Sequence, residues 1–165
     1  MKDLLKELKV VQSGEFILTS GRKSNYFVNI KRASTNPAVL REIGKAIAPH
    51  VGGAKIAGMA LGAVPLAVAT ALETNRPFVM VRKEQKDHGT KDLIEGEVFP
   101  GEKFIIVEDV ATTGGSTMKV VTALREKGAN VSKAIVVVDR EEGAREMLKE
   151  HGIELISLFT AKDLA

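Results

Sequence analysis

The apolar positions of this chain fall into short continuous runs: KIAGMA from Lys55, PFVMVRK from Pro77, EKFIIVED from Glu102, SKAIVVVD from Ser132 and IELISLF from Ile153. Unbroken runs of this length predict strands of a parallel sheet covered on both faces, because a half-exposed strand would alternate. Between them the spacing changes to three and four. VPLAVATALET, GSTMKVVTALREKG (ending at Gly128) and EEGAREMLKEHG (ending at Gly152) read as helices. Upstream, TNPAVLREIGKAIAPH predicts a helix with Asn36 as cap and Pro37 at the first helical position. EFILT and YFVNI predict two strands joined by the polar turn SGRKSN, and Leu4, Leu5, Leu8 and Val11 repeat like one face of an N-terminal amphipathic helix. Repeated strand–helix units point to an α/β fold, a doubly wound and mainly parallel sheet flanked by helices.

One stretch breaks the rhythm. KEQKDHGTKDLIEGEVFPG, from Lys83, is polar, carries three glycines and shows no long apolar period. An irregular connection of that length inside a compact domain is commonly functional or disordered. No internal repeat or low-complexity tract occurs, and 165 residues suit a single domain, 1–165.

Composition narrows the function classes. Hydrophobic residues are 44% and charged residues 27%, ordinary for a soluble globular protein. No run approaches 18 apolar residues and the charged N-terminus lacks a signal segment, so neither a membrane span nor export is expected, and the cytoplasm is the default compartment. The absence of cysteine excludes disulfides, thiolate zinc sites and a cysteine nucleophile. A formal charge of +3, with both signs interspersed, gives little support to a nucleic-acid platform.

The chemistry concentrates in FIIVEDVATTGGST, where an apolar strand ends in Glu108 and Asp109 and passes into hydroxyls and glycines. Ligands of open α/β sheets bind beyond the carboxyl ends of the strands. TTGGST can offer backbone N–H groups, the hydroxyls of Thr112, Thr113, Ser116 and Thr117, and a helix N-terminus, which together suit a phosphate. Gly114 and Gly115 let a backbone approach closely and take positive φ. The spacing is neither a Walker A loop nor a dinucleotide fingerprint. Two carboxylates beside a phosphate cradle suit a sugar phosphate, the acids accepting from vicinal ribose hydroxyls. The plainer alternative is that Asp109 caps the turn and the glycines merely permit tight packing.

IIVEDVATTGGST resembles the 5-phosphoribosyl 1-diphosphate (PRPP) motif of type I phosphoribosyltransferases. The resemblance implies that Glu108, Asp109, Ala111, Thr112, Thr113, Gly114, Gly115 and Ser116 bind PRPP, with Asp109 also catalytic. The motif does not identify the base, since adenine, hypoxanthine–guanine, uracil and orotate enzymes share it, as do regulators of the same fold.

Three further segments narrow the resemblance to orotate phosphoribosyltransferases. VRKEQKDHG places Arg82, Lys83, Lys86 and His88 at the start of the irregular stretch, and is similar to that family's mobile catalytic loop, here about 83–97. By itself it also reads as a solvated charged loop. The resemblance casts Lys83, Lys86 and His88 as catalytic diphosphate contacts with Arg82 alongside. It implies a homodimer whose loops complete the neighbouring site. LTSGRKSNYFVNIK resembles the family's N-terminal hood, about residues 1–35, with Lys23, Tyr26 and Phe27 as candidate orotate contacts; its bland reading is a hairpin with a basic turn, retained for Arg22 and Asn25. In VVVDREEGARE, Asp139 reads as a helix cap and Arg140 suits a planar anionic base, or else a surface ion pair with Glu141 or Glu142. Thr112 joins the expected orotate set.

The chain departs from bacterial-type members, which carry lysines where this sequence has Thr19 and Gly62, although shorter members lack them too. Lys23, Lys31 or the backbone N–H groups of ALGAV are the candidates to substitute. The activity implied is transfer of the phosphoribosyl group from PRPP to N1 of orotate, with Mg²⁺ held mainly by PRPP and water and no direct protein ligand. The rivals are a phosphoribosyltransferase for another base and a PRPP-sensing regulator that binds nucleic acid.

Overall fold

The computed structural model describes residues 1–18, 21–85, 87–89 and 91–165. The chain opens with helix α1 (Lys2–Glu7) and an antiparallel hairpin, β1 (Val11–Ile17) and β2 (Lys23–Val28), with a register shift between Ser13 and Phe16. Helices α2 (Ile30–Ser34) and α3 (Pro37–Ile47) follow. Alternation then gives β3 (Lys55–Met59), α4 (Val64–Thr74), β4 (Phe78–Val81), β5 (Ile94–Glu95), β6 (Lys103–Ala111), α5 (Gly115–Glu126), β7 (Asn130–Asp139), α6 (Ala144–Glu150), β8 (Glu154–Thr160) and α7 (Ala161–Leu164). Strand order in the main sheet is β5-β4-β3-β6-β7-β8, parallel throughout except for the β4–β5 edge pair.

The continuous apolar runs are explained by two cores. On β6, Ile105 and Val107 pack with Val39, Ile43 and Leu66 of α3 and α4, while Phe104 and Ile106 pack with Val120 and Leu124 of α5 and Leu148 of α6. A strand's side chains alternate between faces, so a strand covered on both must be apolar at every position. The fold class is the expected doubly wound one. Its crossovers leave in opposite directions: α4 carries the chain from β3 outward to β4, and α5 carries it from β6 to β7 on the other face. β3 and β6 are neighbours, so the loops leaving them diverge and open a crevice at their carboxyl ends.

Helix α3 starts as expected. The Asn36 side chain accepts from the N–H groups of Ala38 and Val39, with Pro37 at the first position, a cap that contributes about 1 kcal/mol. The N-terminal helix differs from its pattern. It stops at Glu7, buries only Leu5 and leaves Leu4 exposed, because Lys9 takes a left-handed φ of 49° and Val11 enters β1. The YFVNI strand ends at Val28, since the Asn29 side chain caps α2 by accepting from the Arg32 N–H. The PFVMVRK strand ends at Val81. The helix expected over 141–152 begins only at Ala144, after a turn containing Glu141 at φ 58° and Gly143 at φ 101°. Within the irregular stretch, Ile94–Glu95 forms a short strand against β4, and Asp92 accepts from the Ile94 N–H and pairs with Lys127 at 2.6 Å. No helix of the described residues is long and apolar enough to cross a membrane.

Candidate active site

A cavity of about 550 Å³ occupies the crevice beyond β3 and β6. Glu108 and Asp109 reach it from the end of β6, Lys31 from α2, Phe27 from the hairpin, Gly62 from the loop after β3, and Arg140 from the end of β7. Asp109 shares the strand face of Ile105 and Val107, the face that carries α2, so alternation delivers its carboxylate to Lys31: Nζ lies 3.1 Å from Oδ2. Asp109 Oδ1 accepts from the Val110 N–H at 2.9 Å.

Glu108 is buried, and its Oε1 accepts from the Asp109 N–H at 3.0 Å. Among the described residues nothing donates to Oε2. Burial first, and the adjacent Asp109 charge second, hold the Glu108 carboxyl well above the usual carboxylate range, against a smaller pull from Lys31. Protonation of Glu108 removes the charge that burial penalises.

The turn after β6 makes the other half of the cavity. Gly114 takes φ 88°, a conformation that calls for glycine, and the space is tight as well, since a Cβ there would lie 2.7 Å from the mobile end of Met147 and 3.3 Å from Ala144 Cα. Gly115, expected to share that conformation, has ordinary helical backbone and is the first residue of α5. No side chain of the described residues caps α5, which leaves its first N–H groups available to an anion. Thr112 and Ser116 line the cavity. Thr113 is exposed beside it, and Thr117 is 2% exposed and turned into the protein, so its hydroxyl is not part of the cradle. Ala111 takes part through its backbone: its carbonyl accepts from the Arg140 N–H at 3.0 Å and ties two strand ends together.

At the opposite end the Arg140 side chain is 3% exposed. Its Nε donates to Glu142 Oε1 at 2.7 Å, its Nη2 donates to Ser24 Oγ at 3.0 Å, and its guanidinium carbon lies 4.2 Å from the Tyr26 ring centroid. Arg22 donates to the other Glu142 oxygen at 2.8 Å, bridging the hairpin to the turn after β7. The ion pair between Arg140 and Glu142 is therefore present, but buried, and it fixes the guanidinium at the cavity wall. Alternation along β2 separates the two aromatic candidates. Phe27 faces the cavity and contacts Phe16 at 5.6 Å between centroids, whereas Tyr26 supports Arg140 from behind. Lys23 is exposed and is not among the cavity's lining residues. Asp139 is not the cap of α6, which is Gly143; its carboxylate accepts from the Glu141 N–H at 2.8 Å and pairs with Arg145 at 3.3 Å.

Of the basic-loop residues, Lys83 is exposed and lines the cavity's rim. Arg82 pairs with Glu95 at 2.9 Å and faces a second hollow, of about 560 Å³, between the loop and α5. That hollow holds neither carboxylate of β6. His88 is exposed and outside the cavity lining. Lys86 and Thr19 lie outside the described residues.

The sequence does not single out Ser24, and it offers Glu142 only a surface pairing. Their signal is the adjacency of SGRKSNYF and DREE in space, which no local pattern carries. Lys31 entered only as one of several substitutes for absent lysines.

The phosphoribosyl transferase domain family matches residues 30–156. The orotate phosphoribosyltransferase of Natronomonas pharaonis is 54% identical over 162 residues, covering 98% of this chain and 94% of that protein. The crystal structure of the Aeropyrum pernix orotate phosphoribosyltransferase superposes with a TM-score of 0.86 at 34% identity, covering 99% of this chain and 94% of that one. That of Mycobacterium tuberculosis, in complex with PRPP, gives a TM-score of 0.80 at 32% identity over 99% and 95%. With its carboxylate pair, its uncapped helix start and its buried arginine built on this frame, the chain belongs to the orotate phosphoribosyltransferase family.

Proposed function

We propose that the chain transfers the 5-phosphoribosyl group of PRPP to N1 of orotate, releasing diphosphate, with the labour divided along the cavity. The observation that carries the reading is the juxtaposition of a buried carboxylate pair, an open helix N-terminus and a clamped guanidinium in one 550 Å³ crevice. Glu108 and Asp109 accept from the ribose hydroxyls. The N–H groups of Thr113 to Ser116 and the hydroxyls of Thr112 and Ser116 seat the 5′-phosphate. Arg140 receives the carboxylate or imide edge of orotate, and Phe27 packs on its ring.

Breaking the C1–O bond leaves an oxocarbenium-like sugar and a heavily charged leaving group, so the chain's task is positioning and electrostatic stabilisation. Orotate that reacts already deprotonated needs no strong general base. Lys83, with Lys86 and His88 of the same loop, neutralises the diphosphate as it departs; Arg82, held by Glu95, anchors the loop's base. Mg²⁺ bound with PRPP would add to this neutralisation, and the hard oxygen atoms of Glu108 and Asp109 would meet the hydroxyls and waters around it. Loop closure excludes the water that would hydrolyse PRPP. The second half of the loop is held to the body of the domain by β5 and the Asp92–Lys127 pair. The loop's resemblance to that of the orotate phosphoribosyltransferases supports a homodimer in which the loop serves the neighbouring subunit. The enzyme operates in the cytoplasm.

Incubation with PRPP, Mg²⁺ and a panel of bases tests the reading. Orotate should be consumed with stoichiometric diphosphate release, and turnover of adenine or uracil without orotate would overturn it. Lys83→Ala should lower kcat at least roughly tenfold, a loss of about 1.4 kcal/mol of transition-state stabilisation. An unchanged kcat would remove Lys83 from the catalytic set.

A further inference from the structure

Gly62 lies in the loop after β3 and its φ is not in the left-handed region, so its backbone conformation does not call for glycine. What excludes a side chain there is one ion pair: a Cβ would lie 2.8 Å from Asp109 Cγ and 3.1 Å from Lys31 Cε. The missing side chain is the space through which Lys31, on α2, reaches the β6 carboxylate. The two partners are unequally placed. The Asp109 side chain is 12% exposed and that of Lys31 58%. The lysine approaches from solvent on a stem of four rotatable bonds, and a pair of that kind contributes little net stability. It can be exchanged at small cost.

A charge inventory of the cavity gives that exchange a purpose. Its described lining contains three cationic side chains, Lys31, Lys83 and Arg140, and Arg140 is already paired with Glu142. The proposed donor brings a phosphate monoester and a diphosphate. The start of α5 accommodates the monoester, so that of the described lining Lys83 on the rim and Lys31 on the wall can meet the diphosphate, beside the loop cations Lys86 and His88.

We propose that Lys31 is a substrate-binding cation for the diphosphate of the donor, stored on Asp109 until the ribose hydroxyls take its place. In the free chain the ammonium balances Asp109 beside the buried Glu108. When the ribose occupies Asp109, the ammonium is released within the same cavity and pairs with the diphosphate. Gly62 is the residue that makes the storage position possible. This rests on the PRPP reading above and goes beyond it by assigning a residue of the N-terminal segment to the leaving group.

The test is calorimetric titration of the wild-type chain, Lys31→Met and Lys31→Arg with three probes in the presence of Mg²⁺: PRPP, inorganic diphosphate and ribose 5-phosphate. Thermal melting serves as a check on folding, and Lys31→Gln stands in if the methionine variant does not fold. The expected result is that Lys31→Met weakens PRPP and diphosphate roughly tenfold or more, leaves ribose 5-phosphate within about twofold, and is largely rescued by Lys31→Arg. Equal losses on PRPP and ribose 5-phosphate would mean that Lys31 acts only through Asp109, and would overturn the assignment, as would unchanged binding of all three. Failure of the wild-type chain itself to bind PRPP would overturn the donor reading and the Lys31 role with it, and is distinguished by that control.

Discussion

Replacing Arg140 with alanine is expected to raise KM for orotate roughly 10- to 150-fold, the equivalent of losing a charge-assisted contact of about 1.5–3 kcal/mol. The size of the effect follows from how the guanidinium is held. Nε is taken by Glu142 and one Nη2 hydrogen by Ser24, so the edge left for a ligand is fixed before the ligand arrives. Little side-chain entropy remains to be lost on binding. Arg140→Lys should fail to rescue, because one ammonium cannot hold Glu142, hold Ser24, cover the Tyr26 ring and present two parallel donors. KM for PRPP should change much less than KM for orotate. Steady-state kinetics with each substrate varied in turn gives the split, and equal rises in both constants would place Arg140 outside the base pocket.

What was legible in the sequence divides along physical lines. The parallel sheet could be read because burial on both faces forces unbroken apolar runs such as those around Ile105 and Ile135. The carboxylate pair and the turn could be read because strand, acids and glycines are contiguous, so one segment carries both halves of the sugar-phosphate site. Features made by segments distant in the chain could not be read. The Lys31–Asp109 pair joins residues 78 apart and the Arg140–Ser24 bond residues 116 apart. No periodicity encodes either. Tyr26 and Phe27 stood together as candidates because adjacency in sequence is opposition in a strand, and only pairing with β1 decides which faces the cavity. Likewise Thr117 counted as a hydroxyl of the cradle until the turn of α5 buried it. The short strand β5 escaped notice because its stability comes from pairing with β4 and from the Asp92 anchor rather than from its own two residues.

Glu108→Gln should stabilise the free chain while damaging the enzyme. The glutamate carboxyl is held well above its ordinary value near 4.5, chiefly by burial and then by Asp109. A folded state that keeps a proton the unfolded chain releases is most stable at low pH. Its stability declines as pH rises from that ordinary value, until the raised value of the folded carboxyl is passed. Glutamine keeps an oxygen for the Asp109 N–H and supplies an uncharged donor beside the Asp109 carboxylate, so it removes this decline. The variant should therefore gain over the wild type with increasing pH, each kcal/mol reading as roughly 2–4 °C in Tm for a chain of this length. Ligand binding has the opposite requirement. Ribose hydroxyls are best accepted by the ionised carboxylate, so PRPP affinity in the wild type should tighten as pH rises toward the raised value. In the variant that slope should flatten, with kcat/KM for PRPP lower by roughly 10- to 150-fold. Melting curves and PRPP titrations over the same pH series measure both halves. A variant that is no more stable at neutral pH, or that keeps the wild-type slope for PRPP, would show that Glu108 is not the group being charged when the ribose binds.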